Sequence, residues 1–286
     1  MKLISFATSR QATFGLIDGN SIFDLGARLS HSCVDLKDLL RTGGTGRLPS
    51  LLAGASADFK LDQVRLLPVL PNPGRIFCVG LNYYAHRAEG NRPETAVPSI
   101  FLRFPQSQTG HDQPLICPAE SEQFDYEGEL AVVIGKPGRR VPERDALGLV
   151  AGMSCYNDAS VRDWQLATSQ WTPGKNFPAT GAFGPWLVTA DELAPDSNLT
   201  LVTRLNGAEM QRTTTDLMTF PIPRLISFIS TFTPLEPGDV IVTGTPGGVG
   251  LRRTPQVFMK HGDQVEVEIT GIGVLRNRVV KEQPSD

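Results

Sequence analysis

Cysteine is scarce in this chain of 286 residues: Cys33, Cys78, Cys117 and Cys155 stand far apart, with no C-x-x-C pair. Such spacing offers neither a zinc site nor a redox dithiol, and thiols of this kind usually act as small buried apolar groups. No run of about 18 apolar residues occurs, which removes the signature of a membrane-spanning helix. The opening MKLISFATSRQATFG puts Arg10 and polar residues where a signal peptide needs an apolar core, so the expectation is a soluble, cytoplasmic chain with no membrane partner. Excess positive charge is lacking too. A formal net charge of −3, with Lys and Arg scattered, leaves no basic field for nucleic acid. There is no G-x-S-x-G elbow, no H-E-x-x-H, and no G-x-G-x-x-G opening a helix after the first strand, so covalent serine, zincin and dinucleotide chemistry lose support.

What is present falls into two units. Residues 1–70 read as a small N-terminal α/β domain: an opening strand, a hairpin turning at Asp18-Gly19-Asn20, then an amphipathic helix through 35–40. The prolines of LPVLPNPG mark a boundary, and a larger domain is expected over 74–286. That domain alternates short strands with Gly and Pro punctuation. Strands are expected at 75–79, 99–104, 130–134, 150–156, 186–189, 199–205, 240–243 and 265–269, and helices at 83–89, 161–168 and 223–231. Asn206-Gly207 is a hairpin turn signal. The fold class is α+β, mainly β, a sandwich or rolled sheet with helices at its margin.

The chemistry concentrates in DYEGELAVVIGK, where Glu127 and Glu129 precede an apolar run. On a strand, residues i and i+2 share a face about 7 Å apart. Two acids at the mouth of a buried strand either raise a pKa or recruit a cation, and oxygen ligands suit Mg²⁺, Mn²⁺ or Ca²⁺. The alternative is a solvated strand end whose charges discourage edge pairing. Asp158, at the end of the apolar stretch GMSCYND, supplies a third carboxylate or else caps the following helix. In NYYAHRAEGN, His86 and Glu89 stand at i and i+3 on a short helix, a spacing that lets a carboxylate orient an imidazole base, although a lone histidine there would more often be a surface residue. Lys175 lies in a Gly- and Pro-rich loop, and Thr243 and Thr245 lie where a strand runs into glycines; either segment alone reads as well as a structural turn.

Taken in order, VGLNYYAHRAE, PSIFLRFPQS, YEGELAVVIGK, YNDASVRDWQ, GKNF and GDVIVTGTPGGVG resemble the fumarylacetoacetate hydrolase family across nearly all of 74–280. The resemblance implies a mixed β-roll and a homodimer. It implies Mg²⁺ on Glu127, Glu129 and Asp158, and catalytic roles for His86, Glu89 and Lys175. It also implies substrate contacts for Arg162, Gln165 and Thr245, and for Arg103, where many members carry Lys. The activity it implies is metal-dependent hydrolysis of the C–C bond of a 2,4-dioxo acid, an acylpyruvate or a diketo-deoxy sugar acid, to pyruvate and a carboxylic acid. The same metal-enolate site would serve an oxaloacetate-type decarboxylase or a 2-hydroxy-dienoate isomerase. A metal-binding protein without turnover is the reading from another class, and the intact His86, Glu89 and Lys175 argue against it. Because every polar group in this set lies beyond the Pro-rich boundary, residues 1–70 are expected to be dispensable for the chemistry.

Overall fold

The computed structural model describes residues 1–29 and 32–283. Two sheets dominate. The larger has twelve strands, and its main path runs Phe59–Lys60, Ser21–Asp24, Ala12–Asp18, Lys2–Ala7, Gly181–Thr189, Val150–Asp158, Gly128–Ile134, Val240–Val242, Ile76–Gly80 and Ser99–Arg103. Its pairings along this path are antiparallel except that of Val240–Val242 with Ile76–Gly80. The smaller sheet orders Ala208–Thr214, Thr200–Leu205, Gln264–Ile269, Gly273–Lys281 and Leu115–Cys117. The chain is therefore α+β and mostly strand, a mixed roll with short helices at its edges, as expected. No helix among the described residues is long and apolar enough to cross a membrane.

Gly128–Ile134 lies at the centre of the larger sheet, and all seven of its residues are buried. Its apolar residues sort by parity, as a pleated strand requires. Leu130, Val132 and Ile134 join the core formed with Leu201, Val265 and Val267 of the smaller sheet and with Leu225, Ile226 and Ile229 of the helix Ile222–Phe232. Ala131 and Val133 belong instead to a second core with Leu36, Leu39 and Leu40 of the helix Leu36–Arg41. Both faces are thus covered, which explains why this strand reads as a continuous apolar run.

That second core bears on the boundary at 71–73. The strand Lys2–Ala7 pairs with Gly181–Thr189, setting Lys2 opposite Val188 and Leu3 opposite Leu187. The amide of Val69 also reaches the carbonyl of Phe183 at 3.4 Å. The N-terminal strands consequently extend the same sheet that carries the carboxylates, and the prolines mark a change in sequence without interrupting that sheet.

The expected strands and helices are present with shifted ends. The hairpin closes at Gly19-Asn20 with Asp18 opposite Ser21, and the Asn206-Gly207 turn has both residues at positive φ. Several elements escaped the pattern, among them the short strands Phe59–Lys60 and Leu115–Cys117. Gly273–Lys281 alternates buried and exposed positions around Leu275, Asn277 and Val279, and the polar Asn277 breaks the apolar period. Thr172–Lys175 is a single turn, too short for any periodicity.

Candidate metal centre and its cleft

Strand register assembles the carboxylates. Gly128 pairs with Asn157 across the antiparallel ladder, and the Asp158 amide donates to the Glu127 carbonyl at 2.8 Å. Asp158 therefore sits opposite Glu127, while Glu129 follows two residues on along the same face. The three offer ligand oxygens that all lie within 4.8 Å of one another, and all three residues are buried. Such a group is able to hold a metal ion, and the donor set is the all-oxygen one that suits a hard divalent cation.

Their charges are balanced unevenly. Lys175 Nζ is 2.7 Å from Glu127 Oε2 and 2.7 Å from Asp158 Oδ2. Arg162 Nη1 is 2.6 Å from Glu127 Oε1, and Arg103 Nη1 donates to Asp158 Oδ1 at 2.5 Å. Glu129 Oε2 accepts only the Gly244 amide among the described residues, at 2.5 Å. Burial tends to raise the Glu127 carboxyl, but Lys175, Arg162 and His86 outweigh it and hold the group at about 2. Burial, then the negative charges of Asp158 and Glu127, push Glu129 well above the ordinary carboxylate range. A buried carboxylate with no cation of its own beside two that are paired is the local charge pattern a metal ion would complete.

Local backbone sets these positions. Lys175 reaches the cluster because the turn Thr172–Lys175 lies directly on the helix Arg162–Leu166: a Cβ on Gly174 would stand 2.3 Å from the Gln165 backbone nitrogen. Gly244, at φ +107, turns its amide onto Glu129 in a conformation that L side chains rarely adopt. Burial would lower the Lys175 ammonium, but Asp158 and Glu127 outweigh it and raise it.

A cleft opens in front of the cluster, and His86, Glu127, Glu129, Arg162, Gln165, Lys175 and Thr245 line it. His86 comes from the helix Tyr84–Glu89, where its Nδ1 lies 2.7 Å from Glu89 Oε1, and Glu89 Oε2 accepts the Gly248 amide at 2.8 Å. One carboxylate thus orients the imidazole and ties the helix to the glycine-rich loop. Thr245 Oγ1 donates to the Gly128 carbonyl and accepts from Gln211.

Arg103 departs from the expected substrate contact. It is absent from the cleft wall and its guanidinium is fully buried, bonded to Asp158, the Ala159 carbonyl, Thr180 and Ser107. Its planar fork is spent on holding Asp158 from behind. Two further residues went unnoticed in the sequence. Asp125 is fully buried and pairs with Arg162 at 2.9 Å while accepting the Gly250 and Leu251 amides, and Gln211 bridges Thr245 to the Gly128 amide. Asp125 adjoins the acid pair, but nothing in its spacing distinguishes it from a solvated turn residue.

The family model described as fumarylacetoacetate (FAA) hydrolase C-terminal matches residues 75–280. The chain is 38% identical over 288 residues to the mitochondrial oxaloacetate tautomerase fahd2 of Xenopus laevis, covering 98% of this chain and 90% of that protein. Its fold superposes on fumarylacetoacetate hydrolase from the psychrophile Exiguobacterium antarcticum with a TM-score of 0.85 at 33% identity, covering 99% of this chain and 100% of the other. Maleylpyruvate hydrolase from Sphingobium sp. SYK-6, in complex with manganese(II) and pyruvate, gives a TM-score of 0.83 at 28% identity, with the same coverage.

Proposed function

The chain belongs to the fumarylacetoacetate hydrolase family, and from that premise we propose that it is a divalent-metal enzyme that moves a proton at C3 of a 2-oxo acid, interconverting the keto and enol forms of oxaloacetate or a close relative. The observation that carries this reading is Glu129, a buried carboxylate without a cation inside a cluster of three, at the floor of a cleft that also presents the His86–Glu89 pair. A bound Mg²⁺ or Mn²⁺ would supply Lewis-acid polarisation of the 2-oxo acid at Glu127, Glu129 and Asp158.

The chain's own groups do the rest. Arg162, Gln165 and Thr245 on the cleft wall receive the substrate's 1-carboxylate. Glu89 occupies His86 Nδ1, which leaves Nε2 as the atom that takes the proton from C3 and returns it to the substrate. The buried Lys175 ammonium steadies negative charge developing on the 2-oxo oxygen, in a setting where charge is screened far less than in water. The full-length similarity to an oxaloacetate tautomerase supports this order of preference.

A second reading uses the same groups for C–C hydrolysis of a 2,4-dioxo acid. There His86 activates a water that attacks the distal carbonyl. The Mn²⁺- and pyruvate-bound maleylpyruvate hydrolase structure supports keeping it. The test is the purified protein with Mg²⁺ or Mn²⁺ on oxaloacetate, followed as enol–keto exchange, and on a panel of acylpyruvates and diketo-deoxy sugar acids in ¹⁸O-labelled water. Exchange without cleavage supports the tautomerase; label in a released acid transfers the assignment to the hydrolase. Inertness toward all of them overturns both. For assembly we propose a homodimer: the strand Ser99–Arg103 ends the larger sheet with Leu102 and the adjoining Phe104 exposed, an apolar edge of the kind that pairing covers.

A further inference from the structure

Two arginines on the cleft wall have no role in the chemistry above. Arg92 follows the helix Tyr84–Glu89, Arg252 ends the short 3₁₀ turn Gly250–Arg252, and both line the cleft that holds the carboxylate cluster. Both are exposed, and among the described residues neither guanidinium meets a carboxylate or a hydrogen-bond acceptor. Their neighbours behave differently. Arg253 is spent on Tyr126 and the Gly248 and Met210 carbonyls, and Arg87 on Thr219.

The backbone beneath both is held. Asp125 accepts the amides of Gly250 and Leu251 at 2.8 and 2.9 Å, and the Arg252 amide donates to Val249. The Arg92 amide donates to the Arg87 carbonyl at 3.0 Å, and Glu89 ties that helix to Gly248 in the loop that leads to Arg252. Two free cations on tethered segments therefore stand at one opening.

We propose that Arg92 and Arg252 form a subsite for the distal carboxylate of the substrate, so that the cleft selects 2-oxo dicarboxylates over 2-oxo monocarboxylates. This rests on the reading of the inner site as one for a 2-oxo acid. Guanidinium suits the role because its planar fork grips a carboxylate in two places and remains charged throughout the accessible pH range. Leu166, Trp171 and Leu251 on the same wall give the carbon chain between the two ends an apolar path.

The experiment compares oxaloacetate with 2-oxobutyrate, which carries a methyl group in place of the distal carboxylate. Wild-type protein and the double variant Arg92→Gln/Arg252→Gln are each loaded with Mn²⁺, and exchange of the C3 proton is followed in deuterium oxide. The ratio of kcat/KM for oxaloacetate over 2-oxobutyrate should fall at least about fivefold in the double variant, through the KM of oxaloacetate, as expected for two partly solvated ion pairs. Added salt should shrink the wild-type ratio in the same direction. An unchanged ratio overturns the subsite. Binding is read separately, by calorimetric displacement of oxalate from the Mn²⁺-loaded proteins by each acid. A dicarboxylate preference in this binding assay that survives in the double variant likewise overturns the subsite. If neither acid displaces oxalate from the wild type, the 2-oxo-acid reading falls, and the subsite with it.

Discussion

The amide of Asp158 donates to the carbonyl of Glu127 at 2.8 Å across two neighbouring antiparallel strands. That single ladder contact brings the third carboxylate to the first two, and its consequence is open to measurement. Glu127→Gln, Glu129→Gln and Asp158→Asn should each weaken Mn²⁺ binding at least about tenfold in calorimetry, because each removes an anionic oxygen donor and charge that balances the cation. Wild-type affinity in all three would remove the metal from the site.

The same three substitutions should separate in thermal melts of the metal-free protein. Asp158→Asn leaves the buried Arg103 and Lys175 short of an anion, and breaking buried pairs from one side costs about 3–5 kcal/mol. Glu129→Gln replaces a buried carboxyl that no cation offsets, so its Tm should match or exceed that of the wild type. A lower Tm for Glu129→Gln than for Asp158→Asn would contradict this charge assignment.

Lys175→Met should keep metal binding and lose turnover by about 10²-fold, in the range seen when one group that stabilises developing charge is removed. Its Nζ now holds Glu127 Oε2 and Asp158 Oδ2, so apparent Mn²⁺ affinity should not fall when it is removed. Loss of metal binding in this variant would make the lysine a scaffold for the ligands.

His86→Ala should bind oxalate in the presence of Mn²⁺ nearly as wild type does, yet lose about 10²-fold or more in kcat. Glu89→Gln should give a smaller loss in kcat, since it still bonds Nδ1 and keeps the ring in place. Full activity in His86→Ala would assign the proton transfer to another group.

A chain starting at Asn72 should fail to give a stable fold, because it strips Lys2–Ala7 from the edge of Gly181–Thr189 and bares the core around Ala131, Val133 and Leu187. Leu39→Ala, a gentler change in that core, should cost about 2–5 kcal/mol in denaturant melts. A cooperative melt from the shortened chain would establish residues 74–286 as an independent unit.

Much of the site was legible in the sequence. Glu127 and Glu129 share a face because strand side chains alternate, and His86 meets Glu89 because helical neighbours lie three apart; both rules act within a few residues and need no tertiary contact. The run 130–134 announced a strand covered on both sides, and the order of six motifs pointed to the family. What the sequence left open depends on partners far apart in the chain. Whether Arg103 reached the substrate or Asp158, which carboxylate lacked a cation, and whether the N-terminal strands stood alone were decided by strand register and sheet order. A guanidinium or a carboxylate takes whichever opposite charge the fold brings to it, and only the assembled sheets placed Asp158 before Arg103, Asp125 beneath Arg162, and Arg92 and Arg252 at one open mouth.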